Sequence, residues 1–205
     1  MRGTITGRSA GVRFWYGLWA ALVALTASGC GEEASAISGR GPQWPAAAAG
    51  GACQLLDYEA VAARIGTRFD TAGAASKDET FTCALTQAGR AYPDLTLAVT
   101  ATSADEVIFT ATVTPSGSTA VKGLGKIAYR VGLGEAALAA AAKTMPDKGS
   151  RTPGPGVEIG WLSANGRLMI VRYIFAPGAT AAQVAELTPK LVALAKLIDH
   201  VGSTS

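Results

Sequence analysis

Two apolar, β-rich runs, Val157–Ser163 and Arg167–Phe175, flank Ala164-Asn165-Gly166. Asn-Gly between such runs supplies the positive φ angles of a type I′ turn, so this stretch predicts a β-hairpin. If Asn165 and Gly166 are the two loop residues, Ala164 faces Arg167, Trp161 faces Ile170 and Ile159 faces Arg172. One face then carries Val157, Ile159, Trp161, Leu168, Ile170, Arg172 and Ile174. The other carries Leu162, Met169, Val171, Tyr173 and Phe175. Both faces are apolar, which places the hairpin centrally in a sheet and covered, at least in part, on both sides. Any fold open to this chain has to be built around that strand pair.

The remaining patterns supply partners for it. Tyr58, Val61, Ala62 and Ile65 recur at helical spacing before Gly66, the pattern of an amphipathic helix with a glycine stop. Thr67–Glu79 is polar and turn-rich. Phe81, Cys83 and Leu85 then alternate with polar or small residues, and Leu95, Leu97, Val99 and Ala101 do so after the turn signal Tyr92-Pro93-Asp94, giving two strands. Ser103–Glu106 reads as a capping box, and the β-branched stretch after it sets helix against strand over 104–113, with helix preferred. Gly123-Leu124-Gly125 leads into a strand at Ile127–Leu133. It lacks the third glycine and following helix of a dinucleotide-binding turn. Glu135–Lys143 is alanine-rich and helical by propensity, and Pro146–Gly156 reads as a loop. Thr180–Gln183 is a second capping box, opening a helical stretch Ala181–His200 with Leu191, Leu194, Ala195 and Ile198 as its buried stripe. Pro189 falls inside it, so either one helix ends and another begins there or a single helix kinks. These elements make an α+β class fold over residues 52–201: one domain, an antiparallel sheet of about four to five strands packed by helices.

Ahead of the domain the chain reads as an address. Arg2, Arg8 and Arg13 precede the apolar run Phe14–Ala27, and small residues close on Cys30. A helix over that run rises roughly 21 Å, short of a hydrocarbon core about 30 Å thick. Residues 1–29 are therefore expected to be a signal peptide, with a permanent anchor as the alternative. The small residues ending on cysteine resemble the lipobox of bacterial lipoproteins, in which the cysteine is lipid-modified and becomes the mature N-terminus. Cys30 is accordingly the expected lipidation site, and residues 30–51, rich in Gly, Pro and Ser, the tether; Trp44 is the aromatic exception within it. Ala27 departs from the leucine usual at that lipobox position. Without lipidation, the chain would be a secreted protein cut near Ala27 or Gly29.

Three of the 18 basic residues lie in that leader, and the 15 that remain balance 15 acidic ones. A nucleic-acid partner, which needs a concentrated basic face, is not expected; Lys122, Lys126 and Arg130 read as a solvated edge. Export also explains the last two cysteines: Cys53 and Cys83 form an even pair in an oxidising compartment, so a structural disulfide is expected.

The order of signals, with Val121-Lys122-Gly123-Leu124-Gly125-Lys126-Ile127-Ala128-Tyr129 and Val157-Glu158-Ile159-Gly160-Trp161-Leu162, resembles actinobacterial cell-envelope lipoproteins of unknown function, related to extracytoplasmic sensor-like domains. Lys126 departs from the acidic residue expected there. The resemblance implies binding or sensing in the cell envelope and brings no catalytic residues.

Little reaction chemistry is legible. His200 is the only histidine, which removes the Ser-His-Asp triad and histidine-rich metal sites; it is read as a helix-end residue. No cofactor or metal is expected. Trp161, Arg172 and Tyr173 share the hairpin, with Arg172 diagonal to Trp161 in the expected register, so a cation–π contact at the rim of an apolar ligand pocket is the sharper reading. The other reading is an aromatic core with a snorkelling arginine. The expected function is a non-enzymatic binding or sensing module taking an apolar ligand or envelope protein. The alternative is an accessory protein stabilising a membrane complex. A hydrolase is a distant third that needs a serine beside a buried lysine such as Lys126.

Overall fold

The computed structural model describes residues 45–135, 138 and 152–204. The leader, Cys30, Trp44 and most of the Glu135–Lys143 and Pro146–Gly156 readings lie outside them. The chain enters through two 3-10 turns, Pro45–Ala49 and Gly51–Leu55. The described elements that follow are α1 (Tyr58–Ile65), β1 (Thr71–Lys77), β2 (Thr80–Thr86), β3 (Asp94–Ala101), α2 (Glu106–Ile108, continued by a π turn Phe109–Val113), β4 (Thr119–Ala120), β5 (Ile127–Leu133), β6 (Gly156–Leu162), β7 (Arg167–Ile174) and α3 (Ala181–Thr204). All seven strands form one antiparallel sheet in the order β1-β2-β3-β7-β6-β5-β4.

The α+β class is as expected, and the hairpin β6–β7 is central. Two strands exceed the expected count. β1 has an exposed, small-residue pattern, Thr-Ala-Gly-Ala-Ala-Ser-Lys, with no apolar alternation to announce it. It exists because β2 offers an edge along its whole length, Thr71 to Lys77 against Thr86 to Thr80. β4, at two residues, is too short to carry a period. The tether also ends earlier than 51: Ala46 and Ala52 are buried in the main core, so the chain from Pro45 onward belongs to the domain.

Alternation along the strands sorts residues onto two faces. One face carries Cys83, Leu85, Leu95, Leu97, Val99, Met169, Val171, Ile159 and Trp161. It packs against Val61 and Ile65 of α1 and Leu187, Leu191, Leu194, Ala195 and Ile198 of α3. The other face is covered where Phe109, held by the π turn, lies on Tyr129 and Leu162. β6 is therefore buried along its whole length.

α1 starts at Asp57, whose carboxylate accepts from Glu59 N (3.0 Å), and stops at Gly66 in the left-handed region. Helix prevails at 106–113, but its cap is Asp105, accepting from Ile108 N (2.8 Å), and not Ser103. The Thr180–Gln183 box does form: Gln183 Oε1 accepts from Thr180 N (2.7 Å) and Thr180 Oγ1 from Gln183 N (3.3 Å). α3 runs unbroken through Pro189 to Thr204, so His200 lies before the final turn and that turn holds no basic residue.

The hairpin register is shifted by one residue from expectation. Trp161 faces Met169, Ile159 faces Val171 and Glu158 faces Arg172. A type I′ turn needs positive φ at both central residues, and only Gly166 has it here, at 76°. Ala164, Asn165 and Gly166 form a three-residue loop closed by Ser163 N donating to Arg167 O (2.9 Å) and Gly166 N to Ser163 O (3.2 Å). Asn165 Nδ2 instead donates to Gly202 O (3.1 Å), tying the loop to the end of α3.

Candidate functional site

Because side chains alternate with period two, that one-residue shift redistributes the expected constellation. Trp161 and Tyr173 lie on the helix-covered face, whereas Arg172 lies on the opposite one. Trp161 is at no rim: it is 0% exposed, and its Nε1 donates to Asp199 Oδ1 of α3 (2.9 Å). Tyr173 sits at the other end of the hairpin, edge-on to Phe175 and Phe69, with its hydroxyl 3.0 Å from Thr67 Oγ1. Burial, more than the neighbouring Asp94, raises its pKa, against the lowering effect of the Thr67 bond. The structure does not bring Trp161, Arg172 and Tyr173 together, and the Trp161–Arg172 cation–π contact is sterically excluded.

Arg172 has another partner. Its Nε donates to Glu158 Oε2 (2.9 Å), its Nη2 bonds the same oxygen, and Tyr129 OH donates to Glu158 Oε1 (2.9 Å). The Tyr129 ring lies over Gly160, where a Cβ would stand 2.5 Å from ring carbons. Burial first, then the Glu158 charge and hydrogen bond, push the Tyr129 hydroxyl far above its ordinary value. Both carboxylate oxygens of Glu158 are engaged, so the cluster reads as a cross-strand brace and offers no vacant acid or base.

The sequence-based site is therefore replaced by another on the helix-covered side. An open groove of about 550 Å3 runs between the 3-10 turn Gly51–Leu55 and the ends of β2, β3 and β7. Ala52, Leu55, Phe81 and Val99 give its apolar surface, and Gln54 and Arg167 its polar groups. Phe81 is 48% exposed there, more than any other Phe, Tyr or Trp of the described residues. The disulfide Cys53–Cys83, Cα–Cα 4.9 Å, builds this groove: Leu55 follows Cys53 by two residues and Phe81 precedes Cys83 by two, so one bond sets the opposing walls. That relation was available in the sequence, although reading residues 30–51 as tether put Gly51 outside the domain. Arg167 was unreadable as a wall residue because its face depends on the register.

Lys126 is exposed, its backbone N donating to Leu162 O (2.8 Å), so it is not the buried lysine that a serine nucleophile would require. Among the described residues no group of three His, Cys, Asp or Glu side chains converges as metal ligands would, and no helix is long and apolar enough to cross a membrane. No protein-family model, curated protein or solved structure matches this chain.

Proposed function

We propose that this chain is a non-enzymatic binding module, tethered to the outer face of a membrane through a lipid on Cys30, that takes an apolar ligand in the groove over Phe81. The observation that carries the reading is Phe81 itself. A half-exposed phenylalanine flanked by Leu55 and Val99, in a groove whose volume lies within the roughly 300–1,000 Å3 of small-molecule sites, is surface that a ligand would desolvate. The walls are braced by a disulfide, which suits a preformed site. Hydrogen–deuterium exchange on the full chain in vesicles tests it: added envelope lipid extract should protect residues 51–55 and 80–86. Unchanged exchange in both segments would refute a ligand there.

A second reading, an accessory protein of a membrane complex, is favoured by Val107 and Ile108. They are 76% and 49% exposed and adjacent on α2, away from the groove. Replacing both with lysine should release co-purifying envelope proteins on that reading, and leave groove protection unchanged on the first.

A further inference from the structure

We infer that the groove takes a single-chain fatty acid, with its acyl chain on Phe81, Val99 and Leu55 and its carboxylate on Arg167; this rests on the groove being a binding site at all. Arg167 is the only ionisable residue of the lining. Two arginines stand on β7 and they differ sharply: the Arg172 guanidinium is held by Glu158, whereas that of Arg167 makes no salt bridge or side-chain hydrogen bond with the described residues. Its cross-strand partner is Ala101, too short to cover it. A guanidinium fork presents paired donors that match a carboxylate, and here it adjoins apolar surface instead of an acidic neighbour.

The apolar lining would take the rest of the ligand. Gly51 lies close beside the Phe81 ring, since a Cβ there would stand 3.9 Å from it. The groove is open along its side, and its volume of about 550 Å3 is that of a site for one small ligand. A two-chain phospholipid, whose phosphate would also suit Arg167, is the alternative that the test separates. A neutral lipid of the same chain length would gain the apolar contacts and forgo the charge-assisted bond, a difference of about tenfold or more in affinity.

The test uses the full chain in phosphatidylcholine vesicles carrying a trace of one diazirine-tagged probe: palmitic acid in its ionised form, a monoacylglycerol, or phosphatidylglycerol. Cross-linked peptides are mapped by mass spectrometry. Palmitate is expected to label segments 51–55 and 80–86 about tenfold more than the monoacylglycerol. Arg167→Gln should erase that excess. Phe81→Asp, at a half-exposed position, should lower labelling by every probe. Equal labelling by acid and monoacylglycerol, or no effect of Arg167→Gln, would overturn the carboxylate assignment while the groove remained a binding site. Preference for phosphatidylglycerol would overturn the single-chain assignment. Labelling that never rises above the Phe81→Asp background would remove both this inference and the binding reading.

Discussion

Glu158 shows how one residue can stabilise a fold and also restrict what that part of the fold can do. Its side chain is 8% exposed and that of Arg172 41%, so the pair is half inside, where losing the guanidinium leaves the Glu158 carboxylate poorly solvated. Arg172→Met removes the guanidinium and keeps most of the side-chain volume. It should cost about 2–3 kcal/mol, read as a lower urea midpoint with an unchanged slope. Tyr129 supplies the pH dependence. Its pKa is raised above the ordinary 10.0 by burial and then by Glu158, so the folded state binds that proton more tightly than the unfolded chain does. Stability contributed by Tyr129 is therefore fully present below about pH 10 and is lost as pH rises beyond it. Tyr173 and Tyr58 shift the same way, so the alkaline loss is shared. Tyr129→Phe should cost about 1 kcal/mol near neutrality and make the fall in stability above pH 10 shallower than in the parent. A parallel fall in both proteins would show that the hydroxyl does not carry the effect.

At the scale of elements, α3 holds the clearest local conflict. Pro189 has no N–H to donate back toward Ala185, yet the helix continues through it. Packing explains why: Leu187, Leu191, Leu194 and Ile198 all insert into the core, and Trp161 and Gly125 both bond Asp199, so the two halves are held on one axis by the sheet. Pro189 is itself exposed. Pro189→Ala restores a donor without touching the core and should raise stability by about 1–3 kcal/mol, measured as an increase in Tm; a decrease would mean the ring packs usefully. Elements whose side chains alternate or recur at helical spacing, namely α1, β2, β3, β5, β6 and β7, were legible in the sequence because the period itself encodes the buried face. β1 was not, since Ala72, Ala74 and Ser76 carry no contrast and their strand state comes from β2. The hairpin was legible as a hairpin but not in register. Asn165 binds Gly202 thirty-seven residues away in place of adopting the local turn, and that tertiary bond has no trace in the turn sequence. The candidate site suffered for the same reason: one residue of slip moved Arg172 to the wrong face and hid Arg167.

For the whole molecule, the question is what connects the domain to a surface. The core, the sheet and the groove all lie in residues 45–204, where no described helix is apolar and long enough to span a bilayer. On the proposed membrane-tethered reading, the leader offers two chemically distinct means of attachment: a lipid on Cys30, or Phe14–Ala27 left uncleaved. The two make opposite demands on the same cysteine. A lipidated Cys30 carrying two or more acyl chains holds a protein firmly, whereas one chain holds it only marginally. An uncleaved helix holds it with no contribution from the thiol. Cys30→Ser should thus shift nearly all of the protein from the membrane pellet to the soluble fraction, with the Cys53–Cys83 disulfide and the Tm of the domain unchanged. Residues 31–44 can span at most about 50 Å, so on the lipidated form Pro45 stays within about that distance of the lipid-bearing cysteine. Retention of the serine variant in the pellet would assign the attachment to Phe14–Ala27 and leave the groove's own chemistry as it stands.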